Sequence, residues 1–312
     1  MSTDGLFGDA LEFPDDNARE RYDALIGIDT IKDNLATEAH ILLDPSVAER
    51  WSTSQHHKML PAVRDLAGRT ALVILAGDVG TGKTELAESI GDRIARDLAV
   101  KVTLFPLSLS ARGHGAVGEM TTLLTNAFDK VREHASGGRS RDGHIRHATI
   151  LLVDEADALA QSRELAQMHH EDRAGVNALI RGVDGLRRDR LPVLTIMCTN
   201  RVDAIDPAVR RRAAAIFTFD RPSDAARRVL LQRSFEGAGI GDADLDEVVR
   251  QTGPQGSRTY GSTYSDLRQR FVPNVILDAI ANSTPVTGKR LIELAHDFVP
   301  TRPFDSGGGN SS

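Results

Sequence analysis

Cysteine is almost missing from this chain. The single thiol is Cys198, so no disulfide framework can form and a reducing compartment is expected. No apolar run approaches the ~20 residues that a membrane-spanning helix needs, and the N-terminus carries no apolar h-region. The chain is therefore expected to be neither membrane-spanning nor exported by a signal peptide, and the cytoplasm is its expected location. Basic residues are not in excess: 38 Lys and Arg face 44 Asp and Glu, a net charge of −6. The basic footprint of a nucleic-acid binder is thus lacking, and nucleic acid is not the expected partner, although a local basic groove stays open. Aromatic residues make up only 4%, while apolar content is an ordinary 40%; 312 residues suffice for one large domain or two smaller ones with real cores. No internal repeat is visible.

What is present is concentrated near residue 80. Gly77-Asp78-Val79-Gly80-Thr81-Gly82-Lys83-Thr84 fits G-x-x-x-x-G-K-[ST], the phosphate-binding P-loop. The apolar run Ala71–Ala76 before it reads as a strand buried on both faces. Apolar residues at helical spacing follow from Glu85 to Ile94. Strand, glycine loop and helix in this order make a nucleotide triphosphate site. The glycines let backbone N–H groups turn onto phosphate oxygens, Lys83 places charge on the β- and γ-phosphates, and the Thr84 hydroxyl ligates Mg²⁺. The expected nucleotide contacts are Gly77, Val79, Gly80, Thr81, Gly82, Lys83, Thr84 and Glu85, with ATP and Mg²⁺ as cofactors.

Along the chain, the acidic residues 1–20, with Gly and Pro, read as a flexible lead-in. Helical spacing runs from Arg21 to Leu43. Strands are expected at Ala71–Ala76, Val100–Phe105, Thr149–Val153, Pro192–Cys198 and Ile216–Phe219. Helices are expected near Glu119–His134 and Arg173–Val183, with loops at Gly113–Gly118 and Ser136–His147. This alternation predicts an α/β fold, a parallel sheet flanked by helices, over 21–222. Beyond Pro222 the strand signal stops. Residues 223–298 read as a small helical lid domain and 299–312 as a disordered tail.

Three further motifs follow in order. Thr149–Val153 is an apolar strand ending in Asp154-Glu155. Asp154 is placed to hold the Mg²⁺ water shell with Thr84, and Glu155 to act as general base on the attacking water. A P-loop alone says nucleotide binding; paired with this strand it says hydrolysis. Leu194–Cys198 is another apolar strand, ending in Thr199-Asn200, and Asn200 could orient the water or sense the γ-phosphate. Asp206–Arg212 is a turn and a short basic helix. Its arginines form either a solvated face or arginine fingers completing a neighbour's site, which would demand a closed ring.

Taken together, Gly77–Thr84, Leu151–Glu155, Thr199-Asn200 and Asp206–Arg212 resemble the AAA+ ATPases, over roughly residues 20–295. The resemblance implies a P-loop NTPase large domain, a helical small domain and an ATP-driven homo-hexameric ring that remodels proteins. By the same resemblance Arg211 and Arg212 occupy the arginine-finger positions, and Ile26-Gly27 lies where the family packs the adenine ring. Leu107–Arg112, Gly118–Phe128 and Arg173–Leu186 are similar to the pachytene-checkpoint remodellers of HORMA-domain proteins, including the bacterial branch that accompanies anti-phage CBASS systems. That implies a HORMA-domain client, bound to a nucleotidyltransferase that the remodeller switches off. In the first pore loop, Ala116, Val117 and Gly118 are the implied client contacts. The family's aromatic is replaced there by Ala116, which implies a weaker grip and gentle local unfolding. At the second sensor Ser265 takes the usual arginine position, leaving Arg268 and Arg270 as alternatives. About 20 residues precede the family-like region, too few for a separate substrate domain.

Other readings stay open on the sequence alone: an unfoldase or severing ATPase with another client, or a nucleotide-gated DNA-loading module. The pairs His56-His57 and His169-His170 lack the Cys or carboxylate spacing of a metal site, and His169-His170 would instead line the second pore loop. The basic loop 137–143 reads as solvent-exposed, and Cys198 as a buried small hydrophobe.

Overall fold

The computed structural model describes residues 7–109, 119–158 and 169–303. The chain divides into two compact units. One holds Met1–Ala24, Thr30–Ala76 and Thr84–Thr218; the other holds Leu25–Asp29, Gly77–Lys83 and Phe219–Ser312.

The first unit is built on a sheet of β1 (Leu11–Phe13), β2 (Leu72–Gly77), β3 (Lys101–Ser108), β4 (His147–Asp154), β5 (Val193–Thr199) and β6 (Ala215–Phe219), in the order β1-β3-β4-β5-β2-β6. Pairings β3–β4, β4–β5 and β2–β5 are parallel. The central strands are apolar on both faces because helices cover both. Every residue of β5 is buried, as are the six residues Ala148–Val153 of β4. Helices α1 (Asp16–Asp23), α2 (Asp29–Leu43), α3 (Ser46–His56), α4 (Pro61–Ala67), α5 (Lys83–Leu98), α6 (Glu119–Ala135), α7 (His169–Arg188) and the short α8 (Pro207–Arg210) accompany it. Leu124, Phe128 and Val131 of α6 and Leu179 and Val183 of α7 join Leu151, Val153 and Met197 in one core.

Two expectations for the N-terminal part need correction. Residues 11–20 are not a loose lead-in. Leu11–Phe13 adds an antiparallel edge to β3, so the sheet is mixed. The Phe13 ring, 3% exposed, packs on Gly91 of α5, where an added Cβ would lie 2.3 Å from it. Asp15 then caps α1 by accepting from the Ala18 N–H, while its own N–H donates to Asp92 Oδ1 at 2.8 Å. The helical spacing expected as one run from Arg21 to Leu43 is also broken, because Gly27 adopts φ +73°, outside helical space. Helices α3 and α4 were not anticipated.

The second unit contains α9 (Asp224–Ser234), α10 (Asp242–Thr252), a π-helical turn (Asp266–Phe271), α11 (Val272–Ala281) and α12 (Gly288–Asp297). Leu230, Leu231, Phe235, Val248, Leu267, Phe271 and Leu291 form its core. Part of the expected disordered tail is held in this unit: the Thr301 hydroxyl donates to Asp266 Oδ1 at 2.6 Å.

If β1 is integral, Phe13→Ala should cost about 3–5 kcal/mol in urea unfolding, the range for a buried aromatic. A loosely attached lead-in would keep the change within roughly 0.5 kcal/mol.

Candidate nucleotide site

In the second unit, the loop after β2 turns through three glycines with positive φ: Gly77 at 153°, Gly80 at 75° and Gly82 at 98°. Side chains are strained at such angles. A Cβ on Gly77 would also lie 2.2 Å from the Phe219 carbonyl oxygen, so the loop start is closed to any larger residue. Lys83 is buried, and its Nζ donates to the carbonyls of Gly77 (2.9 Å) and Asp78 (2.8 Å), arching over the loop. The buried Thr81 hydroxyl donates to the Asp78 carbonyl at 2.7 Å. Val79 is 44% exposed. Lys83 is also the first residue of α5, so the helix N-terminus with its unpaired N–H groups follows the loop directly.

Ile26 packs partly against the core of this unit. A Cβ on Gly27 would come within 2.8 Å of the Tyr264 hydroxyl and 2.9 Å of the Ala226 methyl. Burial pushes the Tyr264 phenol above its ordinary range. Gly80 is held from the start of the π-helical turn, where the Ser265 N–H donates to its carbonyl at 3.2 Å. Of the two second-sensor alternatives, Arg270 bonds Asp266 Oδ1 at 2.8 Å and Thr301 Oγ1 at 3.2 Å. Burial would raise the Asp266 carboxyl, but hydrogen bonds from Thr263, Thr301 and Arg270 outweigh it and hold the group below the usual carboxylate range.

In the first unit, the carboxyl ends of β3, β4 and β5 lie side by side, the edge where open parallel sheets take ligands. Ser108 pairs with Asp154 in the β3–β4 register. The Thr84 hydroxyl donates to Asp154 Oδ2 at 3.1 Å. A hydroxyl and a carboxylate are the hard oxygen donors that Mg²⁺ takes alongside phosphates and water, so these residues fit the ion. Glu155 stands at φ +54°, strained for a side chain of its size. Its Oε2 accepts from the Ser108 hydroxyl at 2.9 Å. The buried carboxylate of Asp157 accepts from the Thr199 hydroxyl and the Asn200 N–H, each at 3.4 Å. Asp157 thus ties the β4 end to the β5 end, and Asn200 sits beyond that link.

Two predicted contact residues also bond within the first unit. The Glu85 carboxylate, on the first turn of α5, pairs with Arg21 of α1 at 3.3 Å. Arg212 is engaged within its own chain: Nε bonds Asp184 Oδ2 at 3.3 Å and Nη1 the Ala208 carbonyl at 3.2 Å. Arg211 is exposed at the end of α8. Ala116, Val117 and Gly118 lie outside the described residues, as does most of the second pore loop. Sequence reasoning missed the roles of Ser108, Asp157 and Arg221. Asp157 had a signal, a third acid two residues beyond Glu155. Ser108 and Arg221 had none, because their partners are 47 and 143 residues away. Among the described residues no cluster of three or more His, Cys, Asp or Glu could hold a metal ion, and no helix is long and apolar enough to cross a membrane.

The model of the AAA family, "ATPase family associated with various cellular activities", matches residues 73–221. Fold and sequence together thus define an AAA ATPase, a class that binds nucleotide and in general hydrolyses ATP. The chain is 47% identical over 303 residues to CD-NTase-associated protein 6 of Escherichia coli strain MS 115-1, covering 97% of each. It is 38% identical over 274 residues to the protein of that name from Escherichia coli strain KTE188, covering 88% of this chain and 89% of that one. Among solved structures, a chain of the E. coli MS115-1 HORMA:CdnC:Trip13 complex matches with TM-score 0.90 and 46% identity, covering 98% of this chain and 99% of that one. Rhizobiales Trip13 matches with TM-score 0.74 and 41% identity, covering 95% and 100%. C. elegans PCH-2, 17% identical with TM-score 0.63 over 92% of this chain and 73% of that one, shares the fold. The chain belongs to the CD-NTase-associated protein 6 family of AAA ATPases.

Asp157→Ala leaves the Thr199 hydroxyl and the Asn200 N–H without their acceptor, and should cost about 1–3 kcal/mol. Thermal unfolding should fall accordingly, and ATP turnover should drop further than nucleotide affinity because Asn200 loses its support. Equal losses in both would remove that positioning role.

Proposed function

We propose that this protein is an ATP-driven remodeller that works as a homo-hexameric ring on a HORMA-domain partner. By locally unfolding or disassembling that partner it switches off an associated CBASS nucleotidyltransferase. The observation that carries the reading is the near full-length likeness, at 46% identity, to a chain solved with HORMA and CdnC.

Bound ATP with Mg²⁺ would supply the transferable phosphoryl group and the charge neutralisation that its cleavage needs. The chain's own residues divide the remaining work. The backbone of Gly77–Gly82 and the N-terminus of α5 bind anionic oxygens, and Lys83 adds a point charge there. Thr84 and Asp154 are the residues to hold the ion. Glu155 receives the proton of the attacking water; its hydrogen bond to Ser108 orients the carboxylate. Asn200 orients that water. Ile26-Gly27 would receive the base, and Arg211 and Arg212 would complete the site of the neighbouring protomer. Because Arg212 is paired with Asp184 in the single chain, ring assembly must exchange or extend that contact. The contact is only part-buried, so the exchange is inexpensive. Ala116, Val117 and Gly118 would touch the client.

The trap variant Glu155→Gln should bind ATP and retain a HORMA-domain protein in pull-down, and that protein should stimulate wild-type ATP hydrolysis. Stimulation by DNA alone, with no HORMA protein retained, would sink the reading. Arg212→Ala should lower turnover about 10³-fold or more, the scale of an arginine finger, with ATP affinity nearly unchanged. Turnover close to wild type would refute a site shared between protomers.

A further inference from the structure

The second residue of the glycine loop is an acid. Its Oδ1 accepts the Val79 N–H at 2.8 Å, yet a carboxylate placed there opposes the anion the loop must bind. Asp78 is met by Arg221, at the start of the segment that leads into α9. Nε donates to Asp78 Oδ2 at 2.8 Å and Nη2 donates to the same oxygen. The side chains are only 12% and 16% exposed, so solvent screens the pair little. The guanidinium is itself fixed. Nη1 donates to the carbonyls of Gly261 (2.6 Å) and Thr301 (2.8 Å), and Cζ lies 5.0 Å from the Tyr260 ring centroid.

Thr301 carries the chain of contacts onward. Its N–H and hydroxyl bond Asp266, which accepts the Thr263 N–H at 3.0 Å. Two residues later the Ser265 N–H bonds the Gly80 carbonyl at 3.2 Å. The loop is therefore gripped at Asp78 and at Gly80, and both grips trace back to Thr301.

We infer that Arg221 is a positioning residue for nucleotide binding: it cancels the Asp78 charge and anchors the first turn of the loop to residues 261 and 301. The inference rests on reading Gly77–Thr84 as the phosphate-binding loop.

The test uses the full-length protein, a fluorescent ATP analogue with Mg²⁺, and steady-state ATP hydrolysis. Arg221→Ala should weaken analogue binding about 10-fold or more, since one partner of a largely enclosed ion pair is left uncompensated. KM should rise more than kcat falls. Adding Asp78→Asn to Arg221→Ala should recover at least half of that loss on a logarithmic scale. A double variant as weak as the single one overturns the inference. If Arg221→Ala does not fold, Arg221→Gln with and without Asp78→Asn makes the same comparison. Lys83→Ala separates the two levels. If it leaves analogue affinity unchanged, the loop reading itself fails. If it abolishes binding while Arg221→Ala does not weaken it, only the role of Arg221 fails.

Discussion

Parallel registration of β3, β4 and β5 is the constraint on which the candidate site depends. Ser108 pairs with Asp154, and Val153 with Met197. The polar residues that end these apolar strands therefore emerge at one edge: Ser108 ends β3, Asp154 ends β4 with Glu155 just beyond, and Thr199 ends β5 with Asn200 just beyond. Side chains alternate along a strand, so a slip of one residue would turn Asp154 to the opposite face and part it from the Thr84 hydroxyl. The slip is prevented by burial. Each Leu, Ile or Val taken out of water in these strands contributes about 1.5–3 kcal/mol, and the covering helices accept only one alignment of them.

Charge in this protein is managed by local pairing rather than by net balance. Asp154 receives the Thr84 hydroxyl, Glu155 that of Ser108, and Asp157 the polar end of β5. In the second unit Asp78 and Asp266 are each enclosed by donors. Where the carboxylates are buried, as at Asp157 and Asp266, they are tolerable only on such terms. The overall acidity of the chain is therefore a poor guide to the electrostatics at any one of them.

Much of the fold was legible because its signals are local. The buried strands of the sheet announce themselves as apolar runs, and α6 and α7 as helical spacing. What escaped notice has non-local causes. Residues 11–13 sit in an acidic stretch that reads as loose until Phe13 finds the space above Gly91, on a helix far along the chain. The break at Gly27 is invisible in a window where apolar spacing continues through it. The held part of the tail, Val299–Thr301, is polar or proline-containing and is fixed by donors and acceptors from residues 221, 266 and 270.

By itself the sequence determined the chemistry: a glycine loop with Lys83 and Thr84, a strand ending in Asp154-Glu155, and an Asn-ended strand, because each is a short motif whose residues act from neighbouring positions. Tertiary structure decided which groups serve that chemistry from a distance. It set Ser108 on Glu155, Asp157 beneath Asn200, Arg221 on Asp78, and paired Glu85 with Arg21. Hydrogen bonds and ion pairs act only over a few ångströms. Which residues come within that range is fixed by strand register and helix packing, and no local pattern in the chain encodes it.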